Sequence, residues 1–307
     1  MARLSPILIL LAVLAAGPGP SWAGEDLRFI TVATGPLTGV YYPAGRALCD
    51  IANDRIDGVY CVARRSAGSV ANLAALEHGS AQLAIVQNDV ALTRKSRHAR
   101  QVMRLHRDYL TVIVGSDETA QTLGDLRFAK LYTGHPDSGH RATAAAVAET
   151  LKRSLARPVA THPDLTSPAL CNGTVRGLLL MVGHPSGMVQ EALRSCGARL
   201  IGLDAATIGR LTRANPAYKP AEIPGGLYRG QVQSIATIGQ DSILMARSDL
   251  EETLVAQLIA AIHNDLERMR GAHPALRSLD RADLRALDPR LPVHPGANRY
   301  YSETPGP

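Results

Sequence analysis

"TGPLTGVYYPAGRALC", residues 34–49, follows the strand-like run "FITVA" (residues 29–33) and passes three glycines and two prolines as it turns helical. A strand that leaves through a glycine-rich turn into a helix is a βα unit. Such a turn lets the backbone N–H groups of the helix start approach a ligand. It serves equally as a tight connection with no ligand, so the deciding question is whether the pattern recurs.

It does recur. "VYCVARRS" (59–66) reads as a second strand and "AGSVANLAALEHG" (67–79) as its helix, with Val70, Leu73 and Leu76 at helical spacing. Ser66 or Ser69 is placed to cap that helix, and Gly79 sits where a C′ glycine belongs. "AQLAIVQND" (81–89) reads as a buried strand and "LTVIVGS" (110–116) as another, with "TLGDL" (122–126) a surface turn. "AKLYTGHPDSGHRATAAAVAETL" (129–151) repeats the opening pattern. Ser138 is its natural N-cap, and Val147, Leu151 and Leu155 follow at four-residue steps. "GLLLMVGHPSGMVQEAL" (177–193) repeats it again, and "ARLIGL" (198–203) adds a strand.

Further on, "NPAYKPAEIPGGLYRGQ" (215–231) is extended or turn structure, and "SIATI" (234–238) and "SILMA" (242–246) are strand-like. A helix follows Asp249, with Leu250, Leu254, Leu258, Ile262, Leu266 and Met269 on one stripe and Asp249 and Glu252 as a capping box. The tail "LPVHPGANRYYSETPGP" (291–307) reads as irregular. This alternation predicts an α/β fold, a parallel sheet with helices on its faces and binding sites at the carboxyl ends of its strands.

The 307 residues suit one large or two medium domains, and 46% hydrophobic residues suit a packed core. Aromatic residues make up only 4%, with one Trp and two Phe, which argues against stacking platforms for nucleic acid. The net charge of +6 is scattered apart from "RKSRHAR" (94–100), which reads as a solvated face. Arg3, the apolar "ILILLAVLAA" (7–16) and "SWA" (21–23) form a secretory signal, so residues 1–23 are expected to be removed after about Ala23 and the chain exported. Cys49, Cys61, Cys171 and Cys196 allow three pairings into two disulfides, and equally four buried thiols. Pairing by proximity would join Cys49 to Cys61 and Cys171 to Cys196.

The loops supply small hydroxyls beside helix starts: Thr34 and Thr38, Ser66 and Ser69, Ser138, and Ser186. Unsatisfied N–H groups there favour a carboxylate or phosphate without any Lys or Arg. Arg141 could add a bidentate contact or be merely solvated. "DSGH" (137–140) places a hydroxyl, a carboxylate and an imidazole together, but adjacent triad members rarely converge from one short loop. With no G-x-S-x-G elbow, P-loop, GxGxxG, CxxC or HExxH, neither a cofactor nor a metal is expected.

On six stretches in order the chain resembles the TAXI family, the extracytoplasmic solute receptors of TRAP-type transporters. They are "TVATGPLTGVYYPAGRALC", "RRSAGSVANLAALEHGSAQLAIVQNDVA", "HPDSGHRATA", "VGHPSGMV", "AEIPGGLYRGQ" and "LPVHPGANRYY". "SAGS" with Ala67 and "SGH" in place of Ser-Gly-Thr depart from the family pattern. The resemblance implies a two-lobed type II periplasmic-binding-protein fold with a hinge and an inter-lobe cleft. It assigns to the cleft Thr34, Gly39, Val40 and Tyr41; Ser66, Ser69 and Asn72; Gln87 and Asp89 at a strand end; and Ser138, Arg141, Pro185 and Ser186 from the other lobe.

The expected lobes are 24–114 with 235–307, and 115–234, with crossings near 112–116 and 234–237. The expected protein is a monomeric periplasmic receptor, not an enzyme. It would take an anionic or zwitterionic solute, such as glutamate, glutamine or an organic acid, to TRAP-type permease subunits. A sensor subunit without transport is the alternative, and a hydrolase using Ser138 and His140 ranks below both.

Overall fold

The structure, a computed structural model, describes residues 27–154, 159 and 165–304. The signal segment and the Leu155 helix step lie outside these residues. The first βα units form as read: β1 (Arg28–Ala33), α1 (Tyr41–Arg55), β2 (Val59–Arg64), α2 (Ser69–Glu77) and β3 (Leu83–Gln87). Gly79 ends the α2 region at φ +72°, a conformation costly for any residue with a Cβ. From β3 the chain enters α3 (Asn88–Arg94) directly, so Asp89 belongs to a helix and not to a strand end.

Next comes β4 (Ala99–Val114), sixteen residues long, whose first part had no strand reading because Arg100, Arg104 and Arg107 break the apolar alternation. β5 (Leu131–Tyr132), α4 (Gly139–Thr150), α5 (Thr166–Cys171), β6 (Gly177–Val182), α6 (Gly187–Cys196), β7 (Arg199–Ile201), α7 (Ala205–Ala214) and β8 (Lys219–Ile223) follow. The two expected short strands are one, β9 (Ile235–Arg247).

After β9 come α8 (Glu252–Asn264), α9 (Leu266–Ala272), α10 (Arg281–Arg285) and α11 (Pro295–Glu303). The expected capping box on α8 is absent: Arg247 holds the Asp249 carboxylate at 2.8 and 2.6 Å. The tail is helical rather than irregular, because His294 caps α11 by accepting from Gly296 N–H and Pro295 occupies the first turn, where its missing N–H costs nothing.

The sheet runs β2-β1-β3-β9-β4-β6-β5, with β7 on β4 and β8 on β9. It is mixed rather than parallel: β1 pairs parallel with β2 and β3, and β5 with β6, whereas β9 and β4 run antiparallel to each other and to their outer neighbours. In β3 and β9 both faces are apolar. Leu83, Ile85, Leu244 and Ala246 enter one core with Leu48, Ile51, Leu258 and Ile259, while Ala84, Val86, Ile243 and Met245 pack on the opposite face with Leu73, Leu76 and Val90. These two cores make a half built from both chain ends.

The segment between supplies the other half. Leu110, Val112, Leu179 and Met181 pack with Val147 and Leu211, and Leu178 and Leu180 with Leu170 and Val189 on the far face. Val112, near one of the expected crossings, packs in the first of these sets. β4 passes between cores from Leu105 to Leu110, and β9 from Ile238 to Ile243. β4 carries one register shift between Gln101 and Met103, before this passage, and another between Arg104 and Arg107, at its start; Arg104 and Arg107 both reach Asp241 on β9, at 3.2 and 3.4 Å.

All four cysteines are bonded, Cys49 to Cys61 and Cys171 to Cys196, one bridge in each half. They close short loops, 12 and 25 residues apart in sequence, each worth about 3 kcal/mol by chain entropy. Among the described residues no helix is long and apolar enough to cross a membrane.

Candidate functional site

Four helix starts, those of α1, α2, α4 and α6, line one cavity of about 60 Å³ between the halves. Small residues let this happen, and Gly139 decides it. A Cβ there would lie 1.4 Å from Gln87 Oε1 and 2.8 Å from Ser69 Oγ, so any side chain would have to displace the Gln87 carboxamide before α4 could approach α2 and β3 this closely. The cavity's apolar wall is Val40 on one side and Met181, Val182 and Met188 on the other.

Seven of the sequence-assigned residues line this cavity: Gly39, Val40, Tyr41, Ser69, Gln87, Ser138 and Ser186. The other six do not. Thr34 is fully buried and donates to Arg64 O at 2.7 Å, tying β1 to β2. Asn72 is fully buried too, and its Nδ2 donates to Thr34 O (2.5 Å) and Ile85 O (2.7 Å). Ser66 supports it, its hydroxyl 2.6 Å from Asn72 Oδ1 while accepting from Gly68 N–H at 3.0 Å. These three fasten strands.

Asp89 bonds across to the inserted half, accepting from Thr143 Oγ1 and Tyr218 OH. Arg141 turns back on its own loop and donates to Gly134 O at 3.2 Å. Pro185 lines a separate groove with Tyr109 and Pro274. The hydrolase reading loses its pair as well. Ser138 donates to His135 O and accepts from Arg141 N–H, and the Met181 amide donates to His140 Nδ1, so nucleophile and base are both otherwise engaged.

The residue that sequence reasoning missed is Asp108, on the cavity floor and 2% exposed. Its Oδ1 lies 3.1 Å from His106 Nε2, and its Oδ2 accepts from Tyr41 OH at 2.9 Å and lies 3.4 Å from Gln240 Nε2. His106 is braced in turn by Ser242 Oγ, 2.8 Å from Nδ1. A carboxylate set in the apolar strand "YLTVIV" at its buried edge was the available signal.

Burial, and then the Asp108 charge, holds the Tyr41 hydroxyl well above its ordinary pKa, so it stays a donor to Asp108. Burial also pushes His140 down, opposed by Asp108, and the neutral ring carries its proton on Nε2 because Met181 donates to Nδ1. No Lys or Arg is among the described residues lining the cavity. A guest therefore meets one carboxylate, the imidazole N–H, hydroxyls, a carboxamide and helix-start N–H groups.

In the separate groove that Pro185 lines, His184 sits between Thr111 Oγ1 (2.9 Å) and Tyr228 OH (2.5 Å), and burial pushes it down to about 4. Unfolded, it takes up a proton near 6.5, so its contribution is complete above 6.5 and falls as the pH drops towards 4, by up to about 1.4 kcal/mol per unit. The melting temperature is therefore expected to fall between pH 6.5 and 4.5, and less steeply in His184→Gln. Identical slopes for both proteins would show that other groups set the acid response.

The profile of the NMT1-like family matches residues 32–304. Among solved structures, the chain is similar to a putative L-cystine ABC transporter from Listeria monocytogenes, at 12% identity and TM-score 0.53, covering 82% of this chain and 97% of that one. MatC from Rhodopseudomonas palustris, with bound malate, matches at 16% identity and TM-score 0.53, covering 81% and 89%. Tv2483, bound to L-arginine, matches at 11% identity and TM-score 0.51, covering 81% and 90%. The chain thus has the two-lobed α/β fold of periplasmic binding proteins.

Proposed function

Starting from the fact that this chain belongs to the NMT1-like family, we propose that it is an extracytoplasmic solute receptor. It encloses a small carboxylate-bearing solute between its halves and, on its TAXI-like motifs, hands it to a TRAP-type permease. The observation that carries this reading is the cavity into which four helix starts from both halves converge. Their N–H groups and dipoles suit an anionic group, and binding energy drawn from both halves favours the closed form. Two disulfides suit an oxidising compartment. The lobes would be 27–105 with 243–304, and 110–238, moving about the crossings of β4 and β9.

Asp108 narrows the solute. With a carboxylate on the floor and no cation on the walls, a dianion meets repulsion, whereas a zwitterion places its carboxylate at the helix starts and its ammonium at Asp108. The volume of about 60 Å³ favours small members of that class. Thermal-shift screening of residues 24–307 against amino acids and their amine-free analogues tests this. An amino acid at a hundred times its Kd should stabilise the protein by about 2.7 kcal/mol, and Asp108→Asn should erase its advantage over the analogue. Stabilisation by dicarboxylates alone would refute the zwitterion, and by amines lacking a carboxylate alone, the reading of the helix starts.

A further inference from the structure

We propose that Asp89, Thr143 and Tyr218 form a latch that holds the two halves closed whether or not a solute is present, with Asp89 a positioning residue for closure. Asp89 is 3% exposed, and its neighbours Val90 and Ala91 pack in the core of the terminal half. Its Oδ1 accepts from Val90 N–H at 2.8 Å, within the same half. Both hydroxyls on Oδ2 come from the inserted half: Thr143 Oγ1 at 2.7 Å, from α4, and Tyr218 OH at 2.8 Å, from just before β8. Thr143 and Tyr218 are themselves buried, and Tyr218 packs in the inserted half's core.

The bonds do not stand alone. Gln87 Nε2 donates across to Thr143 Oγ1 at 3.1 Å, and Ala71 N–H to Asp137 O at 3.0 Å. None of Asp89, Thr143 or Tyr218 lines the cavity, so the latch is made of protein atoms alone. Separating the halves would return the carboxylate to water. Closing them strips that water away, and the two hydroxyls must replace it or the buried charge is left short of donors. Burial accordingly pushes the Asp89 carboxyl up, against the pull of its hydroxyl partners.

Two side chains link latch to cavity: Gln87, which lines it and reaches Thr143, and Gln240. Gln240 Oε1 accepts from Asn88 N–H at 2.8 Å, at the start of the helix that carries Asp89, while its Nε2 lies 3.4 Å from Asp108 Oδ2 on the cavity floor.

The test needs no solute, so it stands or falls separately from the receptor reading. Small-angle X-ray scattering on the solute-free protein compares wild type with Tyr218→Phe and Thr143→Val, both near-isosteric. Losing one hydroxyl from a buried charge is expected to shift the closed-to-open ratio about tenfold or more towards open. Asn72→Ala weakens the terminal half away from the latch, and should lower the melting temperature without widening the scattering envelope. Folded Tyr218→Phe and Thr143→Val with wild-type scattering would overturn the latch. So would an Asn72→Ala protein that opens as far as they do.

Discussion

Gly139→Leu is expected to leave a folded protein that no longer closes on its solute. Gly139 belongs to the inserted half, yet the atoms its Cβ would strike, Gln87 Oε1 and Cδ and Ser69 Oγ, belong to the terminal half. Within its own helix the position is undemanding, since Ser138 still caps α4 through Arg141 N–H and leucine is a good helix former. The clash thus arises only when the halves meet. Relieving it means expelling the Gln87 carboxamide from a site where it is 2% exposed and bonded to Thr143, or holding the cleft apart. A penalty of about 3 kcal/mol on closure weakens binding more than about a hundredfold. Calorimetric titration with the solute found by screening should give that loss, with the unfolding midpoint in solute-free buffer lowered as the contacts of Asp89 and Gln87 with the inserted half are prised apart. Retained affinity would mean that closure does not bring these atoms together.

Asn72→Ala should do the reverse, costing stability and sparing the site. Its side chain closes three hydrogen bonds among Thr34 O, Ile85 O and the Ser66 hydroxyl, in a fully buried position that does not itself line the cavity. Truncation leaves Ile85 O, in the middle of β3, short of a donor in the dry interior, and Thr34 O with only the Ser66 hydroxyl. At 1–1.5 kcal/mol for each bond plus the void, the expected cost is about 4 kcal/mol, or roughly 8–15 °C in melting temperature for a cooperative unit of this size. Differential scanning calorimetry reads this directly. An unchanged midpoint with lost solute affinity would return Asn72 to the binding residues.

These two positions show why the sequence was legible in one way and opaque in another. Local punctuation survived folding: Ser138 caps α4, Gly79 closes α2, and the stripe Leu254, Leu258 and Ile262 is buried. Asp249 failed as a cap because α8 starts later, with Glu251 at its N-cap, while Arg247 holds the Asp249 carboxylate. α11 was lost to its Pro and Gly, although Pro295 in the first turn is a helix signal. At the site, the glycine and hydroxyl loops located the helix starts but not the side chains facing the guest. Thr34, Ser66, Asn72 and Asp89 are polar residues beside a cleft, and which of them face it depends on partners such as Arg64 and Tyr218, 30 and 129 residues away. Asp108 was hidden for another reason: it lies just before Leu110, in the part of β4 whose arginines mask the strand.

The passage of β4 and β9 between the halves also sets an order of assembly. The inserted half is one uninterrupted stretch apart from its share of β9, whereas the terminal half needs β9 between β3 and β4, and α8 beneath them. As the chain emerges amino end first, β1 to β3 must wait, their apolar faces uncovered, until the carboxyl-terminal helices arrive. A holding chaperone would find its longest-lived target there.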